Sequence, residues 1–168
     1  AYIGGIGVTG SSSANNMAKE ADVVIAVGTR LQDFTTGSWT SFSHDAKFIS
    51  INTSRWDAVK HRAISVIGDA RETFQELLLG LEGWSSPLSW MEKGKLEMAA
   101  WNVLIEEKQK PTNAPVPSYA QVIKVIHDNA KERDLVIAAA GGPPGEVNKG
   151  WKVKALNTVC LLYTSPSP

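Results

Sequence analysis

The sequence predicts an α/β chain. A Rossmann-like parallel half-sheet comes first, followed by the opening helix and strand of a second α/β unit. Three observations carry that expectation. Residues 22–27, 47–51 and 64–67 are continuous apolar runs without alternation, the pattern of strands covered on both faces in a parallel sheet. Helical patterns lie between or after these runs, so strand and helix alternate and right-handed crossovers are expected. A fourth buried run at 134–139 follows a Pro-rich stretch, where a new unit begins.

The elements follow in order. Gly4-Gly-Ile-Gly-Val-Thr-Gly10 is a loop, and Ser11 to Ser13 offer N-cap hydroxyls to a helix over 14–21. The strand at 22–27 ends in Gly28 and then presents Thr29, Arg30 and Asp33 at its carboxyl edge. In open α/β sheets that edge is where ligands bind. Strands at 47–51 and 64–67 come next. Asp69, with Glu72 three residues later, forms a capping box opening a helix over 70–81, with Phe74, Leu77, Leu78 and Leu81 on its buried face.

Residues 84–110 carry a helical pattern in which Trp90, Met98, Trp101 and Ile105 share one face. Residues 111–117 hold three prolines and form a stiff extended linker, since each proline biases its predecessor away from helix. Ser118 and Gln121 form a second capping box for a helix over 119–129, with Val122, Ile123 and Ile126 inward. The strand at 134–139 breaks into Gly141-Gly-Pro-Pro-Gly145, and the unit is expected to stop after that one strand. Residues 159–168 (VCLLYTSPSP) show neither cap nor period and read as a frayed or non-native tail.

Composition narrows the function classes. The chain has 168 residues, 43% apolar and 20% charged, with 17 basic and 17 acidic side chains and no net charge. A nucleic-acid binder would show a basic excess or stripe. No apolar run approaches the roughly 18 residues of a membrane span, and no basic-then-apolar leader opens the chain. Cys160 is the single cysteine, so no disulfide or thiolate zinc site forms within the chain, and a cytoplasmic setting is expected. The chain enters mid-pattern at Ala1-Tyr-Ile without an initiator Met, and is expected to be an internal piece of a larger enzyme.

Other chemistry-bearing residues are sparse. Gly4, Gly7 and Gly10 ahead of a helix offer a weak phosphate-cradle signal, short of the dinucleotide fingerprint. His44, His61 and His127 are far apart and form no metal-ligand pattern, so surface or capping roles are expected. The six tryptophans are spread over loops and helices and are expected to pack rather than stack on substrate.

The segments GGIGVTGSSSANNMAKEADVVIAVGTRLQDFTTGSW, INTSRWDAVKHRA, GDARET, PSYAQVIKVI and AAAGGPPGEVNKGWKVKALNT, in that order, resemble one family. It is the thiamine-diphosphate-dependent trihydroxycyclohexanedione hydrolase family of inositol breakdown, within the acetolactate-synthase-like superfamily. The GTRLQDFTTG block is shared in looser form with acetolactate synthases, while GGPPGE and GWKVKALNT tilt the resemblance to the hydrolase. It implies cleavage of a ring C–C bond of trihydroxycyclohexane-1,2-dione to 5-deoxy-glucuronate, with the cofactor as electron sink.

By this resemblance, residues 1–83 are the later half of a middle domain and 84–117 a helical and Pro-rich linker. Residues 118–158 then open the thiamine-diphosphate-binding domain. The activating glutamate and the Gly-Asp-Gly…Asn motif for Mg2+ and diphosphate lie outside the chain; Gly68-Asp69-Ala70 lacks the third glycine of that motif. No catalytic or metal residue is therefore assigned here, and the chain alone is expected to be inactive.

Gly141, Gly142, Gly145 and Glu146 are the candidates for the thiazolium and substrate side, against a structural turn with a surface glutamate as the alternative. Arg30, Asp33 and Thr36 match a block that helps hold FAD in acetolactate synthases. The hydrolase family is not known to need flavin, so Arg30 and Asp33 count as nucleotide ligands only if one binds. Otherwise they form a scaffold or an internal salt bridge. The resemblance further implies a small-molecule substrate and a homodimeric or homotetrameric whole enzyme. Acetolactate synthase or a related carboligase or decarboxylase is the enzyme alternative, and a stand-alone nucleotide-binding module the alternative of another class.

Overall fold

The computed structural model describes residues 2–139 and 141–162. The first unit is a three-stranded parallel sheet of β1 (Val23–Val27), β2 (Lys47–Asn52) and β3 (Ile64–Ile67), in that order. Ile25 stands opposite Ile49, and Ile49 opposite Ile64. The expected α/β class and all three strands are present. Helix α1 (Ser12–Glu20) starts where the serine signal lies, with Ser11 Oγ accepting from Ala14 N at 3.2 Å. Short helices α2 (Asp33–Thr36) and α3 (Arg55–Ala58) cross between strands, and α4 (Ala70–Gly80) follows β3.

Burial departs from expectation, and strand order explains it. Among the described strands of this sheet only β2 has a neighbour on each side, and Ile51 near its carboxyl end is 2% exposed. On the flanking strands Val23, Ile25, Ile64 and Ile67 remain between 45% and 63% exposed, so these strands are not covered on both faces. The face assigned to α4 is likewise open, with Phe74, Leu78 and Leu81 exposed and no residue of the helix buried. Asp69 does cap α4, accepting from Arg71 N at 2.8 Å and Glu72 N at 3.4 Å. The cap is one-sided, because no bond from the Glu72 side chain returns to the Asp69 amide.

Helix α5 (Leu88–Gln109) begins directly after Pro87 and lays the expected face inward, with Trp101 and Ile105 buried and Trp90 and Met98 half-buried. It packs on α1 where Gly94 lets Ile3 and Met17 approach; a Cβ there would stand 2.8 Å from Ile3 Cδ1. Asn16 donates to Glu97 across this contact at 2.8 Å, and Lys93 pairs with Glu20.

The second unit holds α6 (Tyr119–Asn129), β4 (Val136–Ala139), α7 (Gly142–Gly150) and β5 (Val159–Leu162). The second capping box is complete: Ser118 N donates to Gln121 Oε1 at 2.7 Å and Gln121 N to Ser118 Oγ at 3.3 Å. Of the three residues expected inward on α6, only Ile123 is buried, against Ala138 and Val147. Val122 and Ile126 are exposed, because β4 and β5 form a sheet of just two strands.

Two features overturn the expectation that this unit stops after one strand. The Gly-Pro-Pro-Gly segment is the first turn of α7 rather than a break, since proline is tolerated where amides have no intrahelical acceptor. Val159–Leu162, read as tail, pairs in parallel with β4, Val136 opposite Val159. Residues 163–168 lie outside the described residues.

Candidate functional site

Two places at the carboxyl ends of strands gather the residues singled out above. The first follows β1. Gly28, at φ +60°, donates to Ile51 O at 2.9 Å and turns the chain off the sheet. Asn52 Nδ2 then holds Thr29 O at 3.1 Å, and Thr29 Oγ1 accepts from Leu31 N at 3.2 Å. This leaves Arg30 and Asp33 on the rim of one cleft of about 450 Å3, together with Lys60 and His61.

The internal salt bridge weighed for Arg30 and Asp33 is not formed. The guanidinium instead reaches Gln32 Oε1 at 3.4 Å. Thr36 is fully buried: its hydroxyl donates to Gln32 O and accepts from Trp39 N, each at 3.2 Å, so it is committed to shaping the loop.

His61 stacks on Trp39 with ring centroids 3.5 Å apart. Partial desolvation against Trp39 holds the imidazole pKa below the ordinary histidine value, the Lys60 charge lowers it further, and Asp33 opposes in part. The neutral ring is thus favoured in the fold, and the unfolded chain binds the proton more readily. Stability from this site is present above the ordinary value of about 6.5 and is lost as pH falls from there toward the folded midpoint. An NMR titration should place the His61 midpoint below that of a free histidine, and His61→Gln should remove this part of the pH dependence.

The second place follows β4. Gly141, at φ +139°, caps α7. Amides 141–144 precede the first intrahelical bond, and Pro143 and Pro144 carry no hydrogen, so of these four positions Gly141 and Gly142 alone carry an N–H group. One turn further, Glu146 pairs with Lys149 at 3.2 Å, each side chain 28% exposed. Gly145 faces Thr9, whose Cγ2 would lie 3.2 Å from an added Cβ, and Asn148 Nδ2 donates to Thr9 O at 3.3 Å. The glycine-rich loop from the other end of the chain therefore seats on α7.

That loop is prebuilt. Asn15 grips Gly7 from both sides, accepting from its amide at 2.8 Å and donating to its carbonyl at 3.0 Å. Val8 N donates to Phe34 O, Gly10 N to Gly7 O and Ser11 N to Gly5 O, all within 3.0 Å. These bonds commit the amides of Gly7, Val8, Gly10 and Ser11 internally, so none of the four is left for a phosphate.

Neither Asn15 nor Asn148 stood out in the sequence. The signal available for Asn148 was its place one turn after Gly145 on a helix whose start looked like a loop. His127 is half-buried, its Nε2 3.2 Å from Lys152 O just past the end of α7 and its ring edge-on to Trp151. Trp39 and Trp101 pack as expected, whereas Trp56 and Trp84 are exposed. Among the described residues no group of three or more His, Cys, Asp or Glu side chains could hold a metal ion. The Asp69 carboxylate is committed to its helix cap. The residues present thus do not fit a Mg2+ site.

Residues 1–77 match the family described as thiamine pyrophosphate enzyme, central domain. Over those residues the chain is similar to the central domain of thiamine pyrophosphate enzymes. Its similarity extends well past the domain. A 3D-(3,5/4)-trihydroxycyclohexane-1,2-dione hydrolase of Listeria monocytogenes serotype 4b is 32% identical over 96% of the chain. Hydrolases of the same name from Halalkalibacterium halodurans and Bacillus subtilis are 32% and 31% identical over the same share. The chain spans 29% of the length of each of these relatives. The parallel β1-β2-β3 sheet agrees with a thiamine pyrophosphate enzyme central domain. No helix among the described residues is long and apolar enough to cross a membrane.

Proposed function

We propose that this chain is a segment of a thiamine-diphosphate- and Mg2+-dependent hydrolase that opens the ring of 3D-trihydroxycyclohexane-1,2-dione to 5-deoxy-glucuronate. The observation that carries this reading is the reach of the similarity. It covers 96% of the chain, passing from the central domain through α5 and α6 into α7, against relatives that share one name. The cofactor, when bound, supplies the stabilisation of the carbanion left by C–C cleavage. This segment contributes a scaffold and one rim: Gly141 and Gly142 bring backbone close to the cofactor side, Gly145 lets α7 seat on Thr9, and Glu146 meets a hydroxyl of the substrate. The whole enzyme works in the cytoplasm as a homodimer or homotetramer, with the Mg2+ ligands supplied by its other segments.

The full-length protein, given the dione with thiamine diphosphate and Mg2+, is expected to release 5-deoxy-glucuronate and to lose that activity without thiamine diphosphate. Formation of acetolactate from pyruvate in its place would move the assignment to acetolactate synthase. The 168-residue chain by itself is expected to be inactive in the same assay, and turnover from it would overturn the division of labour proposed here. In the full-length protein Glu146→Gln is expected to raise the KM for the dione about tenfold with folding unchanged, the loss of one charge-assisted hydrogen bond. An unchanged KM would leave Glu146 as the partner of Lys149 only.

A further inference from the structure

A second cleft lies on the other side of the Trp39–His61 stack, by the start of β2 and β3. Its volume is about 360 Å3, and Trp39, Phe42 and Phe48 form its walls. These rings are fixed by edge-on packing, Trp39 on Phe48 at 5.2 Å and Phe42 on Phe48 at 5.0 Å. Lys47 and Arg62 stand at its rim beside His44, and no residue lining it carries a carboxylate. Among the described residues neither Lys47 nor Arg62 belongs to an ion pair. In a chain without net charge, this places unneutralised positive charge over an aromatic pocket.

The backbone around the stack is unusual as well. Six non-glycine residues of the described chain have positive φ, and five of them, Leu31, Ser38, Trp39, His61 and Arg62, lie at or beside the two clefts. Such conformations persist only where the surroundings impose them, and they gather where a side chain must be aimed. Here they turn the Trp39 and His61 rings into contact and bring Arg62 to the rim.

We propose that this cleft binds a flat aromatic anion, its ring against Trp39 and His61 and its phosphate or carboxylate held by Arg62 and Lys47. Guanidinium and ammonium groups recognise both oxyanions, and aromatic walls supply the ring contact. The site is distinct from the carboxyl edge that carries Arg30 and Asp33, and it stands or falls independently of the hydrolase reading.

Four probes test it on the full-length protein by calorimetry and by the His61 ring resonances: AMP, benzoate, adenosine and inorganic phosphate. At least one anionic ring is expected to bind at least tenfold tighter than both adenosine and phosphate, and to shift the His61 signals. Preference for AMP would mark the ligand as a phosphate, and preference for benzoate as a carboxylate. Arg62→Gln and Lys47→Gln should each weaken that binding about tenfold while leaving the unfolding midpoint in place. No binding by either anionic ring, equal binding of adenosine, or indifference to both substitutions would overturn the proposal. So would loss of binding in Arg30→Gln with retention in Arg62→Gln, which would put the ligand on the far side of the stack.

Discussion

Gly7→Ala is expected to cost the protein about 3 kcal/mol or more, enough to unfold a domain of ordinary marginal stability. Gly7 sits at φ +96°, where an L side chain is strained, and an added Cβ would lie 2.1 Å from Phe34 O and 2.7 Å from Thr35 O. Both obstacles are backbone oxygens at the start of α2, so neither can swing aside. The move that would relieve them also breaks the bond from Val8 N to Phe34 O and the double grip of Asn15. Gly28→Ala is the matching control. Gly28 is also left-handed, at φ +60°, but nothing stands within 4 Å of its missing Cβ. Its cost should be the conformational penalty alone, about 1 kcal/mol. Urea unfolding of the two variants in the full-length protein should separate them clearly, and equal costs would show that the loop yields more than its contacts suggest.

Ile51→Ala is the second large effect, expected at about 2–5 kcal/mol. Ile51 is the largest of the fully buried side chains and stands on the only described strand of the first sheet with a partner on each side. Truncation removes apolar contacts and leaves a void the neighbouring strands cannot close, because their backbones are tied to β2 by the ladder on both flanks. The same truncation at Ile64, 63% exposed on β3, should cost well under 1 kcal/mol. Chemical denaturation midpoints of both variants test the contrast, and similar losses would mean that β3 is covered in the whole protein.

These contrasts show which parts of the fold were legible from residues alone. Ser11, Asp69 and the Ser118–Gln121 pair act on amides within three residues of themselves, so local sequence suffices to find them. The strands at 22–27, 47–51 and 64–67 were legible for a similar reason, a short stretch rich in Val, Ile and Phe. How deeply each strand is buried depends on how many neighbours it has, which the stretch does not encode. The proline pair at 143–144 misled because a loop break and a first helical turn both favour proline, and sequence alone does not separate them.

The candidate site was less legible than the fold. Gly141, Gly142, Gly145 and Glu146 were found by family resemblance. What positions them, Asn148 on Thr9 and Asn15 on Gly7, joins segments whose meeting only the folded chain reveals. The stack of Trp39 on His61 belongs to the same class. Nothing in either local sequence announces a partner on another loop.

The first sheet has a consequence for how the chain is made. Its strands lie side by side in the order in which they are translated, each docking on its immediate predecessor. Among the described strands each pairs with its immediate predecessor in sequence, so β2 can join β1, and β3 join β2, as each leaves the ribosome.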